Sequence, residues 1–245
     1  MTNATIAPVI VAGAGPAGCT AALWLARRGV PVVVLEGEAR LPVDLRASTF
    51  HPPTLDMLDE LGVTEKLIPQ GLVARTYQYR DRRTGEAAIF DLAALGELTR
   101  HPYRLQCEQF KMTQTIVDLL RAEPNAEVHF NHRVEQVLQD ADGVTVHAET
   151  PDAGFRSFRG SFVIGTDGAN SRVRKSLAVN FDGFTYPERF LVVSTPFDFA
   201  EAFPKLSYVN YVSDPEEWCV LLRTPTLWRV LVPTDPAARD ADLLS

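Results

Sequence analysis

Six residues near the start of the chain, Gly13-Ala14-Gly15-Pro16-Ala17-Gly18, restrict what it can fold into more than any other feature. An apolar, β-branched run at residues 8–12 precedes them. A run of helix formers at 19–28, with Ala21, Ala22, Leu23, Leu25 and Ala26, follows. The first run shows no polar alternation, which is the pattern of a strand covered on both faces in a parallel sheet. Gly29 stands where a helix-ending glycine belongs. Residues 30–35 form a second all-apolar run that ends at Glu36. Together these make one strand–helix–strand unit of about 30 residues.

The glycine spacing alone is a weak signal, but between a strand and a helix it is the fingerprint of a dinucleotide-binding turn. Gly13 permits the tight turn, Gly15 lets backbone approach a pyrophosphate, and Gly18 lets the helix pack close to the strand. The helix start, at Pro16 and Ala17, then offers the positive end of its dipole and, from Ala17 onward since proline has none, unpaired N–H groups. Glu36 suits the 2′-hydroxyl of a ribose and would repel a 2′-phosphate. Gly13, Gly15, Pro16, Ala17, Gly18 and Glu36 are therefore candidate cofactor-binding residues.

The rest of the composition excludes more than it selects. With 245 residues there is room for one large domain, or one domain and part of another. A net charge of -7 argues against a nucleic-acid surface, which needs a basic stripe. Cys19, Cys107 and Cys219 lie far apart, which suits a reducing compartment and offers neither a disulfide framework nor a zinc site. The apolar N-terminal run has no basic leader and is broken at Gly13, Gly15 and Pro16. No signal peptide or membrane span is expected, and a cytoplasmic location is the default. None of the five histidines has metal-ligand spacing, and no Ser–His–Asp set is visible, so no metal and no catalytic side chain is assigned.

Further along, residues 53–61 read as a helix stopped by Gly62, and 73–92 as a hairpin turning at Thr84-Gly85. Residues 110–122 read as a helix. Strands are expected at 127–130, 133–139 and 144–149, the last two joined across Asp142-Gly143. Residues 160–164 read as another buried strand. From 189 onward four strands are expected, at 190–195, 206–212, 218–223 and 228–232, punctuated by prolines. The expected fold class is therefore α/β, a Rossmann-like nucleotide-binding domain with an inserted small antiparallel excursion, plus a β-rich domain. The boundary is placed at 180, giving 1–180 and 181–245, with residues 70–100 open to assignment to either domain.

A second motif chooses among cofactors. Phe162-Val-Ile-Gly165-Thr-Asp167-Gly168-Ala-Asn-Ser171-Arg-Val-Arg174 resembles the Asp-Gly fingerprint of the class A FAD-dependent aromatic monooxygenases, the para-hydroxybenzoate hydroxylase-like family. Residues 45–49 with 53–58, and Tyr103-Arg104-Leu105-Gln106, resemble two further segments of that family. The resemblance covers nearly all of the chain. It implies an FAD-binding domain followed by a β-rich substrate-binding domain. It also implies that Asp167 and Gly168 meet the FAD ribose region, Arg46 the FAD phosphates, and Gln106 with Arg104 the ribityl neighbourhood. Val134 is implied more weakly, at the adenine. The implied activity is hydroxylation of an aromatic, phenolic substrate through a C4a-hydroperoxyflavin, with NAD(P)H and O₂ as co-substrates.

The chain departs from the family pattern in one respect. The later Gly-Asp motif is absent, because no Gly-Asp dipeptide occurs anywhere. Either a partner chain or a missing C-terminal segment is expected to complete the flavin site, or the protein is truncated with impaired flavin binding. Alternatives stand beside the hydroxylase. One is another flavoprotein of the same fold, such as an epoxidase or a prenyl reductase; a halogenase is disfavoured by the missing Trp-x-Trp-x-Ile-Pro signature. Another is a non-catalytic or partner-dependent nucleotide-binding subunit. His51 is read as structural despite lying near the Arg46 segment. Tyr208 and Tyr211 are read chiefly as sheet packing, with an aromatic-binding pocket as the alternative.

Overall fold

The computed structural model describes residues 6–43, 47–152, 154–203 and 205–243. By its contacts the chain forms two compact units, residues 1–44 with 110–182 and residues 45–109 with 183–245. The segment at 45–109, which the sequence reading had placed mostly before the boundary at 180, packs in the second unit.

The first unit is built on a parallel sheet of four strands in the order Phe162–Gly165, Val9–Ala12, Val32–Leu35, Ala126–His129. The two central strands are buried at every position, as their unbroken apolar runs require. The strand at 162–165 differs from expectation. It lies at the sheet edge and is half-buried, with Phe162 69% exposed, and the buried strand read at 160–164 is two elements, Phe155–Gly160 and Phe162–Gly165. The polar, arginine-bearing stretch before Gly160 hid the first of them.

The crossover helix Pro16–Ala26 starts with Pro at its first position, where a missing N–H costs nothing. Its buried residues Gly18, Cys19, Ala22, Leu23 and Ala26 recur at helical spacing and are mostly small. Small side chains let the helix axis sit close to the strands. The Asn125 side chain donates to the carbonyls of Ala26 and Val30, tying the helix end to the loop before the fourth strand.

An antiparallel sheet, Arg133–Asp140, Gly143–Glu149 and Phe155–Gly160, packs on the parallel one. The alternating positions Val144, Val146 and Ala148 face inward with Val134, Val137 and Phe158, meeting Ile10, Ala12, Val33 and Leu35. Each large apolar side chain buried here contributes about 1.5–3 kcal/mol.

The second unit has a six-stranded sheet, in the order Arg189–Thr195, Trp228–Thr234, Cys219–Arg223, Val209–Ser213, Thr76–Asp81, Ala87–Asp91. All its pairs are antiparallel except Val209–Ser213 with Thr76–Asp81, which are parallel. The strand read at 206–212 begins only at Val209, because Asn210 turns its amide back on the preceding residues: Ser207 N–H donates to Asn210 Oδ1, and Asn210 Nδ2 donates to the Ser207 carbonyl. Tyr208 thus precedes the strand. A smaller sheet, Thr49–Phe50, Arg104–Gln106 and Leu72–Ala74, and the helix Pro52–Asp59 complete this unit. Among the described residues no helix is long and apolar enough to cross a membrane.

Candidate cofactor site

The register of the parallel sheet assembles the site in the first unit. Ala12 pairs with Leu35 on one side and Gly165 on the other, so the three strands end level. The residues that follow, Gly13, Glu36 and Thr166-Asp167, are therefore brought side by side at the carboxyl ends of the strands, where ligands of such sheets bind.

Each glycine of the turn has its own steric reason. Gly13 has φ +98°, and a Cβ there would stand 2.7 Å from the Thr166 carbonyl oxygen. A Cβ on Gly18 would stand 2.0 Å from the Gly13 carbonyl oxygen. Gly15 is different. Its backbone is extended (φ −69°, ψ 179°), and a Cβ on it would meet nothing within 4 Å. The space beside Gly15 is therefore open, and the turn's backbone can be approached closely there.

Glu36 is fixed by the turn it faces. Its carboxylate accepts the Ala14 N–H at 2.8 Å and the Glu38 N–H at 2.9 Å. Two such bonds orient the group without exhausting its acceptor sites, leaving room for ribose hydroxyls. Asp167 turns to its own helix: Ser171 Oγ donates to it, as do the backbone N–H groups of Arg172 (2.6 Å) and Val173 (3.1 Å). Ser171 in turn caps the helix by accepting the Arg174 N–H. Gly168 follows with φ +79°, a value that favours glycine. Asp167 therefore holds the Asp-Gly turn in shape as well as lining the cleft.

The cleft itself has a volume of about 530 Å³ and is lined by Gly13, Gly15, Glu36, Glu38, Val134, Thr166, Asp167 and four nitrogen-bearing side chains, Arg133, Asn170, Arg172 and Lys175. Arg133 pairs with Glu38 at 2.8 Å and Arg172 with Glu135 at 3.5 Å. The sequence reading missed Thr166, Arg133, Arg172 and Lys175. The Thr166 hydroxyl donates to the carbonyls of Ala12 and Gly13, locking the turn from the neighbouring strand. No spacing rule marks these four, because their strands and helix meet the glycine turn only in three dimensions. Cys19 lies beneath the turn, and its thiol donates to the Ala14 carbonyl. Burial first, and the Glu36 charge second, push its pKa up to about 12, which makes it inert.

The remaining residues read from the sequence divide as follows. Pro16 and Ala17 open the helix at the cleft, and Val134 is buried at its floor. Arg46 lies outside the described residues. Arg104 and Gln106 belong to the second unit. There the buried Gln106 Oε1 accepts the Thr49 hydroxyl at 3.0 Å, while its Nε2 has no hydrogen-bond partner. A buried, unmet amide donor is costly unless a ligand accepts from it. His51 sits at the N-terminus of the Pro52–Asp59 helix. Its pKa is lowered by partial shielding from water and, secondarily, by the Arg104 charge. Among the described residues no group of three His, Cys, Asp or Glu side chains is placed to hold a metal ion.

The glycine turn, the open space at Gly15 and the anchored carboxylate are the parts that an adenine dinucleotide requires. The sequence pattern of the family described as FAD binding domain matches residues 6–240. The chain belongs to this family. It is 34% identical over 241 residues to para-nitrophenol 4-monooxygenase of Pseudomonas sp. (strain WBC-3), covering 98% of this chain and 59% of that protein. It is 35% identical over 233 residues to 6-hydroxy-3-succinoylpyridine 3-monooxygenase HspB of Pseudomonas putida, covering 93% and 58%. Among solved structures it resembles p-nitrophenol 4-monooxygenase PnpA of Pseudomonas putida, with a TM-score of 0.90 and 37% identity, covering 98% of this chain and 60% of that one. It also resembles aklavinone-11 hydroxylase in complex with FAD and aklavinone (TM-score 0.80, 26% identity, 99% and 48%). The chain thus spans about three fifths of the length of these two curated relatives. This FAD-binding chain is the N-terminal portion of the class A aromatic monooxygenase pattern, as the two sequence motifs implied.

Proposed function

We propose that this chain carries the FAD site of a monooxygenase that hydroxylates a phenolic ring, with NAD(P)H and O₂ as co-substrates. The observation that supports it most is the open space at Gly15, where a pyrophosphate can approach the turn's backbone, beside a carboxylate fixed by the same turn. Gly13, Gly15, Pro16, Ala17 and Gly18 would hold the pyrophosphate, Glu36 the adenosine ribose, and Val134 the edge of the adenine. By the family resemblance, Asp167 with Gly168, Arg46 and Gln106 would serve the rest of the cofactor. Bound FAD supplies the redox chemistry, taking electrons from the nicotinamide and delivering one oxygen atom of O₂ to the ring. The protein's own part is to bind, orient and shield. The turn presents N–H groups to phosphate, and Glu36 selects an unphosphorylated ribose.

Further flavin contacts are expected from the length that the relatives have beyond this match, or from a partner chain. The substrate class follows the relatives named for nitrophenol and chlorophenol monooxygenation. A cytoplasmic location fits the sparse, unpaired cysteines.

The test is reconstitution. Protein mixed with FAD and freed of excess by gel filtration is expected to retain flavin absorbance. Addition of 4-nitrophenol is expected to raise its rate of NAD(P)H oxidation. Retention of no flavin refutes the cofactor reading. Retained flavin with oxidation that no phenol stimulates refutes the substrate class.

A further inference from the structure

The second unit carries a cation without a counter-charge. Arg104, half-buried at the start of the Arg104–Gln106 strand, lays its guanidinium 4.2 Å from the centre of the Tyr77 ring. It donates to the Tyr211 hydroxyl at 3.2 Å. Among the described residues no carboxylate pairs with it. A guanidinium has five N–H donors, and shielding it from water without an anion is unfavourable.

What surrounds Arg104 is aromatic. Tyr77 and Tyr79 lie two apart on one strand and so share a face of the six-stranded sheet. Phe90 pairs across from Tyr77, and Tyr211 from Tyr79. The rings stack in two pairs, Tyr77 on Phe90 at 4.9 Å and Tyr79 on Tyr211 at 4.8 Å, and meet edge-on between pairs. Tyr79 and Phe90 remain 51% and 43% exposed. Packed face to face in pairs and edge to face between pairs, the four rings present their edges as an apolar patch, and the cation beside it supplies charge-assisted donors. A planar, anionic ring has that same combination, whereas a neutral or aliphatic ligand would leave the cation unmatched.

We infer that Arg104, set between Tyr77 and Tyr211, binds the ionised oxygen of an anionic aromatic substrate whose ring packs on the exposed edges of Tyr79 and Phe90. The inference rests on the proposed function and gives Arg104 a role toward substrate in place of the flavin role that the family resemblance implied. Tyr211 positions the guanidinium, and Tyr77 supports it from the ring face. A donor of fixed planar geometry discriminates by charge, so the site takes phenolate in preference to an uncharged ring of the same size.

The experiment uses the full flavin-loaded protein and two probes, 4-nitrophenolate and nitrobenzene, each titrated by its effect on the flavin spectrum. Wild type is expected to bind the phenolate more tightly than nitrobenzene. Arg104→Gln is expected to weaken phenolate binding about 10- to 100-fold while leaving nitrobenzene within about 2-fold. Its retention of FAD is expected to be unchanged. Arg104→Lys is expected to restore part of the phenolate affinity, and Tyr211→Phe to lose a few-fold. Loss of flavin from Arg104→Gln would overturn the inference in favour of a cofactor role. Equal loss for both probes, or no loss, would overturn it as well. If flavin-loaded wild type binds neither ring, the aromatic-substrate reading itself fails and takes the inference with it.

Discussion

Alanine at Gly15 and alanine at Gly18 are one methyl group each, three residues apart in the same turn, yet their consequences should differ in kind. At Gly18 the new methyl would lie 2.0 Å from the Gly13 carbonyl oxygen and 2.6 Å from Thr166 Oγ1. Ordinary contact is well over an ångström longer, and the obstructing oxygen is backbone held by the Thr166 hydroxyl. The helix must move off the sheet, at the upper end of overpacking costs, about 3 kcal/mol. For a chain of this size that lowers Tm by roughly 6–12 °C. At Gly15 the backbone already has an alanine-compatible geometry and the methyl meets nothing within 4 Å. Reduced freedom of the unfolded chain favours alanine by about 0.4–1 kcal/mol, and the loss of glycine at the helix cap offsets a similar amount. The net change should be within about 0.5 kcal/mol, or roughly 2 °C. The methyl does occupy the space that a pyrophosphate would need, so FAD affinity should fall at least about tenfold. Thermal melts of the flavin-free proteins and fluorescence titration with FAD separate the two. If Gly15→Ala melts as low as Gly18→Ala, or binds FAD as tightly as wild type, the steric reasoning is wrong.

Other perturbations follow from the same coordinates. Glu36→Ala leaves the buried Ala14 N–H without its acceptor, while water replaces it at the exposed Glu38 N–H, and should destabilise the turn by about 1–3 kcal/mol; Glu36→Gln, which keeps an acceptor, should cost less, both read from urea midpoints. A thiol reagent at pH 8 should modify Cys219 alone in the native protein and all three cysteines after unfolding, since Cys19 and Cys107 are buried. Asp56 has its pKa lowered from 3.8, first by the Thr99 hydroxyl and then by His101. A depressed carboxyl stabilises the fold above its unfolded value and loses that contribution as pH falls through 3.8 and below. Asp56→Asn should therefore flatten the acid limb of a plot of unfolding midpoint against pH, and an unchanged limb would show the pairing to be inconsequential.

The features legible in the sequence were those set by local chemistry. Unbroken β-branched runs marked the parallel strands, three glycines marked the turn, and Asp142-Gly143 marked a hairpin that pairs in register from Gly143 to His147, with a bulge beyond. Phe155–Gly160 was missed because only Phe158 and Gly160 are buried in it, while its two arginines and its serine are exposed and read as loop. Arg133, Thr166 and Lys175 were missed for another reason. Their approach to the cleft depends on which strand lies beside which, and periodicity carries no record of neighbours. The aromatic face was half-seen: Tyr211 was noted on its strand, but the parallel pairing with Thr76–Asp81 that stacks it on Tyr79 joins segments more than a hundred residues apart.

That same non-locality falls hardest on the first strand. Val9 is flanked by Val32 on one side and by Phe162 on the other. During synthesis the first partner emerges almost at once, whereas the second follows roughly 150 residues later, about 8–30 s at usual elongation rates. Through that interval an all-apolar strand has one unpaired edge on the ribosome, the kind of edge that recruits other chains. Yield in the cell should therefore depend on translation speed and on chaperone occupancy of the nascent chain, and slowing the ribosome between codons 40 and 160 should lower it.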